Sequence, residues 1–224
     1  MLHPWDFVFL RMLSIADIRK EYKLQTLEEE WVYKDPLAQF DKWWNEAVSA
    51  DIEEVNAMTL ATASADGLPS ARIVLLKGYD ANGFVFFTNY HSYKGNQLEE
   101  NPRACLVFFW KELERQVRIT GLVKKTNHEA SDEYYRSRPL GSQVGAHISP
   151  QSQVIESRHW LTGREFEVLK QFDGKPVPRP TNWGGYIVQP VTIEFWQGRP
   201  NRLHDRIQYS LQENGNWKIE RLAP

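Results

Sequence analysis

The sequence has a single cysteine, Cys105, in 224 residues. An intrachain disulfide is impossible, and the paired cysteines of a structural zinc site are missing. Cys105 sits in the apolar run 104–110 and reads as a small buried hydrophobe. A reducing, cytoplasmic compartment fits this usage. No two of the histidines His3, His91, His128, His147, His159 and His204 have the helical spacing of metal ligands, which argues against a metal centre. The glycine patterns G-x-G-x-x-G and G-x-x-x-x-G-K are absent, as is the G-x-S-x-G elbow. Dinucleotide folds, P-loop hydrolysis and serine hydrolysis thus lose their usual signatures. Net charge is only −2, too balanced for a general nucleic-acid-binding field. No apolar run approaches the ~20 residues of a membrane helix. The first residues lack the basic start and long apolar segment of a secretion signal. Residues 1–13 read as a flexible extension and 14–224 as one domain.

What the chain does have is aromatic and strand-forming. Nine Trp and nine Tyr suit a core, a stacking platform or an interface. Ser14-Ile15-Ala16-Asp17 resembles a capping box and predicts a short helix to about Leu24, with 25–34 irregular. Asp35-Pro36 supplies a cap and a first-turn proline to a helix bearing Leu37, Phe40, Trp43, Trp44 and Ala47 on one face. From Ala57 the pattern turns to strands at 57–64, 69–77 and 84–88, separated by Asp66-Gly67 and Asp80-Ala81-Asn82-Gly83. Ser92 caps a helix that ends near Asn101-Pro102. Strands at 103–110 and 114–125 follow, then helices at 127–137 and 157–172 and a proline-rich connector at 174–180. Four more strands are predicted at 183–188, 192–197, 203–211 and 217–221. Strands come mostly in succession rather than alternating with helices. The expected class is therefore β-rich α+β, an antiparallel barrel, closed or partly closed, with flanking helices.

Cations recur in ordered contexts. If 202–206 is extended, Arg202, His204 and Arg206 share one face. Such a ridge tolerates an anion, a phosphate above all; the same residues also make a solvated edge strand. Arg72 and Lys77 are five apart and face opposite sides of a regular strand, so either a bulge re-aims one or they serve different partners. Ser92-Tyr93-Lys94 opens a helix, and a helix N-terminus favours anions. Tyr134 and Arg138 share a helix face, with Ser142 in the loop beyond. The trio offers phosphate donors, or simply a helix C-terminus with a favourable arginine.

A series of motifs runs through the chain in order. It comprises Arg72-Ile73-Val74-Leu75-Leu76-Lys77, Phe87-Thr88-Asn89, Leu113-Glu114-Arg115-Gln116-Val117, Ser137-Arg138-Pro139 and Ser142-Gln143-Val144-Gly145-Ala146. Then come Gln151-Ser152, Trp183-Gly184-Gly185, Ile193-Glu194-Phe195-Trp196-Gln197-Gly198, Arg202-Leu203-His204-Asp205-Arg206 and Arg221-Leu222-Ala223-Pro224. From about Ile18 to Pro224 the chain thereby resembles the pyridoxamine (pyridoxine) 5'-phosphate oxidase family. The resemblance implies an FMN-binding split β-barrel, working as a homodimer with FMN at the subunit interface. It implies FMN contacts at Arg72, Ile73, Val74, Leu75, Leu76, Lys77, Phe87, Thr88, Lys94, Gln116, Gln151, Ser152, Trp196 and Arg206. It implies substrate contacts at Lys77, Tyr134, Arg138 and Ser142, on the vitamin's phosphate, and catalytic contacts at Arg202 and His204. Arg19 and Tyr22 resemble the family's N-terminal segment that closes over the substrate. The implied reaction oxidises pyridoxamine or pyridoxine 5'-phosphate to pyridoxal 5'-phosphate, with O2 as acceptor and H2O2 as product. Small molecules are the implied partners, with no nucleic acid and no membrane. Tyr93 stands where the family commonly has Arg, which implies a weaker hold on the FMN phosphate. Two alternatives are a flavin split barrel with another oxidoreductase substrate and a non-catalytic carrier of pyridoxal 5'-phosphate. The Tyr134, Arg138, Ser142 set speaks against the first.

Overall fold

The computed structural model describes Ile15, Ile18 and residues 20–224. The expectations for the extension 1–13, for a cap at Ser14 and for Arg19 lie outside the described residues. The elements in chain order begin with α1 (Pro36–Ser49), β1 (Ala57–Ala63), β2 (Pro69–Leu75), β3 (Gly78–Asp80), β4 (Gly83–Asn89) and α2 (Tyr93–Glu100). They continue with β5 (Arg103–Trp110), β6 (Arg115–Lys125), α3 (His128–Ser137), α4 (Leu140–Ile148) and α5 (Arg158–Gln171). The last are β7 (Trp183–Gln197), β8 (Asp205–Leu211) and β9 (Trp217–Arg221). Among the described residues the nine strands form one antiparallel sheet, ordered β2-β1-β5-β6-β7-β4-β3, with β8 beside β7 and β9 beside β8. The sheet curls until β2 approaches β4, leaving a barrel that is split rather than sealed.

Helix α1 packs its buried face against β3, β4, β5 and β7. Asp35 accepts the Leu37 N–H at 3.0 Å and Pro36 occupies the first turn, so the start is set locally. The face bearing Gln39, Phe40, Trp43 and Ala47 is buried. Phe40 meets Tyr79 and Phe84 edge-on at 4.9 Å, and Trp43 meets Phe195 at 5.2 Å. Strands alternate as a half-buried sheet requires: Val117, Ile119 and Val123 of β6 point into this core.

Strand β7 organises the sheet. Along one edge, residues 183–188 pair with β4 and residues 192–197 pair with β8; the other edge pairs with β6. The two strands predicted at 183–188 and 192–197 are therefore one. Pro190 sits where the partner changes, beside a register shift at Thr120/Gly121 that absorbs its missing donor.

Three further expectations are corrected. Residues 20–24 are not helical, because the Glu114 carboxylate takes the Lys23 and Leu24 N–H groups that a helix needs. Ser142 lies in the first turns of α4, not in a loop. Arg202, His204 and Arg206 do not share a strand face. Asn201 and Arg202 have φ of 55° and 62°, which turns the chain, and β8 starts only at Asp205.

Candidate active site

Two clefts gather the candidate residues. The first, of about 420 Å³, lies between β2, β4, α2 and α3. Arg72, Ile73, Val74, Leu75, Lys77, Phe87, Thr88, Lys94, Tyr134, Arg138 and Gln151 all line it, together with Asn89 and Trp183. Ser142 lines an adjoining pocket that shares Asn89, Arg138, Gln151 and Trp183. The five-residue spacing of Arg72 and Lys77 is resolved without a bulge. β2 ends at Leu75, and the chain crosses so that the Lys77 N–H reaches the Val85 carbonyl at 2.8 Å. Leu76 is the exception in that motif: its side chain belongs to the core and not to the cleft.

Arg72 and Lys94 are held by neutral groups. Arg72 donates to the Leu60 carbonyl (3.2 Å), Thr62 Oγ1 (2.6 Å) and Ser70 Oγ (2.5 Å). Thr62 and Ser70 in turn donate to Gln97 Oε1 at 2.6 and 2.7 Å. Lys94 is 8% exposed and its Nζ reaches Thr88 Oγ1 (3.0 Å), Ser92 Oγ (3.3 Å) and Gln151 Oε1 (3.5 Å). Burial, and then the Arg72 charge, pull the Lys94 pKa down to about 8. The Arg138 guanidinium stands 4.5 Å from the Trp183 ring centroid, and its buried Nη1 has no partner. Burial lowers its pKa too. Among the described residues no carboxylate pairs with Arg72, Lys77, Lys94 or Arg138, and none lines the cleft. Four cations around a carboxylate-free cavity repel one another unless an anion joins them. Phe87 adds a flat wall, stacked on Tyr134 at 4.0 Å and on Trp183 at 5.6 Å. Tyr93 is half-exposed at the first position of α2, close enough to Arg72 to act on the arginine's charge. The donor set fits a phosphate-bearing cofactor.

The second cleft, of about 540 Å³, is lined by Ile18, Lys20, Glu21, Tyr22, Arg199, Asn201, Arg202 and His204. His204 lies against Trp196 with centroids 4.6 Å apart, and Tyr22 meets Trp196 edge-on at 5.8 Å. Gly198 leaves the room: a Cβ there would come within 2.7 Å of the Tyr22 ring. His204 Nδ1 accepts the Arg199 N–H at 3.1 Å, so this nitrogen is unprotonated and Nε2 carries the hydrogen. Burial and the Arg202 charge lower its pKa, with Asp205 opposing, which favours the same neutral ring. Gln116, Trp196 and Arg206 are register partners across β6, β7 and β8 and so share one face beside this cleft. Arg206 is not free: it grips Glu194 through Nε (2.9 Å) and Nη2 (3.2 Å).

The two clefts have no residue in common. Trp183 and Trp196, one at each, are thirteen residues apart on β7, roughly 43 Å along a straight strand and less on a curled one. Ser152 lines neither cleft and has φ of 71°. Sequence reasoning assigned no role to Asn89 and Trp183, although both lie in quoted motifs, or to Thr62, Ser70 and Gln97. The last three are ordinary polar residues whose only signal is that they hold Arg72.

Comparison with known proteins gives first the class and then the family. A pyridoxamine 5'-phosphate oxidase-related, FMN-binding protein from Nostoc punctiforme PCC 73102 superposes with TM-score 0.66, over 83% of this chain and 97% of its own, at 16% identity. The curled sheet is thus a split barrel. PhzG from Burkholderia lata 383, solved with tetrahydrophenazine-1-carboxylic acid, superposes with TM-score 0.85 at 29% identity, over 92% of this chain and all of its own. A family model described as pyridoxamine 5'-phosphate oxidase matches residues 44–171. Another, described as the pyridoxine 5'-phosphate oxidase C-terminal dimerisation region, matches residues 183–224. The pyridoxine/pyridoxamine 5'-phosphate oxidase of Cupriavidus pinatubonensis is 55% identical over 95% of this chain and 100% of its own. That of Nostoc punctiforme is 54% identical over 94% and 99%. The chain belongs to the pyridoxine/pyridoxamine 5'-phosphate oxidase family and is an oxidoreductase of that kind. Among the described residues no helix is long and apolar enough to cross a membrane.

Proposed function

We propose that the protein uses FMN to oxidise pyridoxine and pyridoxamine 5'-phosphates to pyridoxal 5'-phosphate, as a homodimer with FMN at the subunit interface. The observation that carries this reading is the set of four cations without carboxylates around one cleft. Two phosphates, one from each ligand, would satisfy it. Arg72, Lys94 and the N-terminus of α2 would hold the FMN phosphate, while Ile73, Val74 and Leu75 would lie along the flavin. Lys77, Tyr134, Arg138 and Ser142 would hold the vitamin phosphate. Bound FMN supplies the redox chemistry, a two-electron oxidation at the substrate's C4' carbon with O2 as final acceptor and H2O2 as product.

The chain's own residues position and polarise. Anchoring the phosphate orients the substrate ring before reaction, which removes an entropic part of the barrel-to-substrate encounter. Neutral His204 offers Nε2–H as a donor, and Arg202 adds a fixed charge in the same cleft. These two lie at the far end of β7 from Lys94 and Arg138, so in this reading each site takes its Arg202 end from a second copy. The match to a dimerisation region over 183–224 supports that arrangement.

Adding pyridoxine 5'-phosphate to the FMN-loaded protein should cause oxygen uptake and equimolar formation of pyridoxal 5'-phosphate. Unphosphorylated pyridoxine should react far more slowly. Equal rates on the two would remove the role given to the Arg138 pocket, and no uptake with either would sink the reading.

A further inference from the structure

Glu114 is an unusual residue in the turn between β5 and β6. It is 2% exposed, and its backbone is left-handed at φ 55°. Its neighbours hold it rigidly. The Glu114 carbonyl accepts the Gly198 N–H at 2.7 Å and Gln197 Nε2 at 3.2 Å. A buried carboxylate is costly unless its oxygens are matched. Here Oε2 accepts the Lys23 N–H at 2.8 Å and the Leu24 N–H at 3.1 Å, and Oε1 faces Lys20 Nζ at 3.3 Å. Burial raises its pKa, but the two amides and Lys20 outweigh that and leave it lowered, so the carboxylate is charged. All three partners come from residues 20–24, about ninety positions away in sequence. Between them sits Tyr22, edge-on to Trp196 and 6.0 Å from the His204 ring.

We propose that Glu114 is a positioning residue: its carboxylate latches residues 20–24 across the Arg202–His204 cleft and so sets how tightly substrate is held there. The inference rests on reading that cleft as the substrate half of the site. Glu114 touches neither Arg202 nor His204 through its carboxylate, and it acts through the segment that carries Tyr22. The latch consists of one charge and three donors, two of them backbone. The segment's side chains can therefore vary without releasing it, whereas the carboxylate is indispensable.

The test compares the unmodified FMN-loaded protein with Glu114→Gln and Lys20→Met. Glutamine keeps the shape but turns an amide toward donors. Glu114→Gln should raise KM for pyridoxine 5'-phosphate about tenfold, the scale of losing a charge-assisted hydrogen bond. kcat should stay within about twofold and FMN content should not change. Limited trypsin should cut after Lys23 faster than in the unmodified protein. Lys20→Met leaves both amides bonded and should shift KM in the same direction by less. KM or the tryptic rate unmoved in Glu114→Gln overturns the latch, as does a parallel fall in kcat and FMN content. Should the unmodified protein fail to oxidise the substrate, the functional reading falls, while the tryptic comparison still decides the latch by itself.

Discussion

Lys94 has almost no water and no anionic neighbour, and its pKa of about 8 follows from burial and from Arg72. Two pH effects of opposite sense result. Between about 8 and the ordinary lysine range the unfolded chain binds the extra proton, so the cost of burying this ammonium is full below 8 and lifts above it. Phosphate affinity runs the other way, because a dianion prefers the charged form. FMN binding to the apoprotein should weaken as pH rises through about 8. Lys94→Met should abolish that trend and reduce affinity at pH 7 by about ten- to a hundredfold, the value of a hydrogen bond to a charged group. Titration by quenching of FMN fluorescence reads both. A pH trend surviving in the methionine variant would assign it to another group. Residues of this kind are legible in sequence, since a cation beside a helix cap in an apolar context needs a reason. Glu114 is not, because two of its three partners are backbone amides remote in sequence and identical for any side chain. Leu76 lies inside the same motif as Arg72 and Lys77, yet its side chain faces the core, a difference that the motif itself does not mark.

Helix starts were the most legible elements. Asp35, Ser92, Asn127 and Ser157 each accept an N–H from the first turn they cap, at 2.8–3.3 Å. Helix α4 carries no such start signal: Pro139 precedes it with no side-chain cap, and two glycines dilute its pattern. In sequence Pro190 reads as a break between two strands, whereas the register shift beside Gly121 accommodates it within the single strand β7. Glycines also separate by packing. At Gly95, in the first turn of α2, an added Cβ would lie 2.0 Å from the Tyr90 carbonyl oxygen; at Gly141 in α4 nothing lies within 4 Å. Gly95→Ala should therefore cost about 1–3 kcal/mol or more, as forced overpacking does, and disturb the placement of Lys94. Gly141→Ala should stabilise by about 0.5–1 kcal/mol through helix propensity. Urea denaturation of both variants checks the contrast, and a loss of equal size at Gly141 would contradict it.

The whole molecule was legible as a class, since consecutive strands, hairpin turns and interposed helices fit few architectures besides an antiparallel barrel. The placement of the clefts was not. The ridge expected at Arg202, His204 and Arg206 dissolves at the left-handed turn of Asn201 and Arg202, a backbone choice that neither residue advertises. The distance between the ends of β7 then has a consequence in genetics. On the proposed reading, in which the site takes Lys94 from one chain and Arg202 from another, it can be repaired by mixing two damaged chains. Co-expressed Lys94→Met and Arg202→Leu proteins form mixed dimers with one doubly damaged site and one intact site. At an FMN concentration too low to load the Lys94→Met parent, random pairing should then recover about a quarter of the unmodified activity. Recovery no greater than the parents' own activity would put both residues in the site of a single chain.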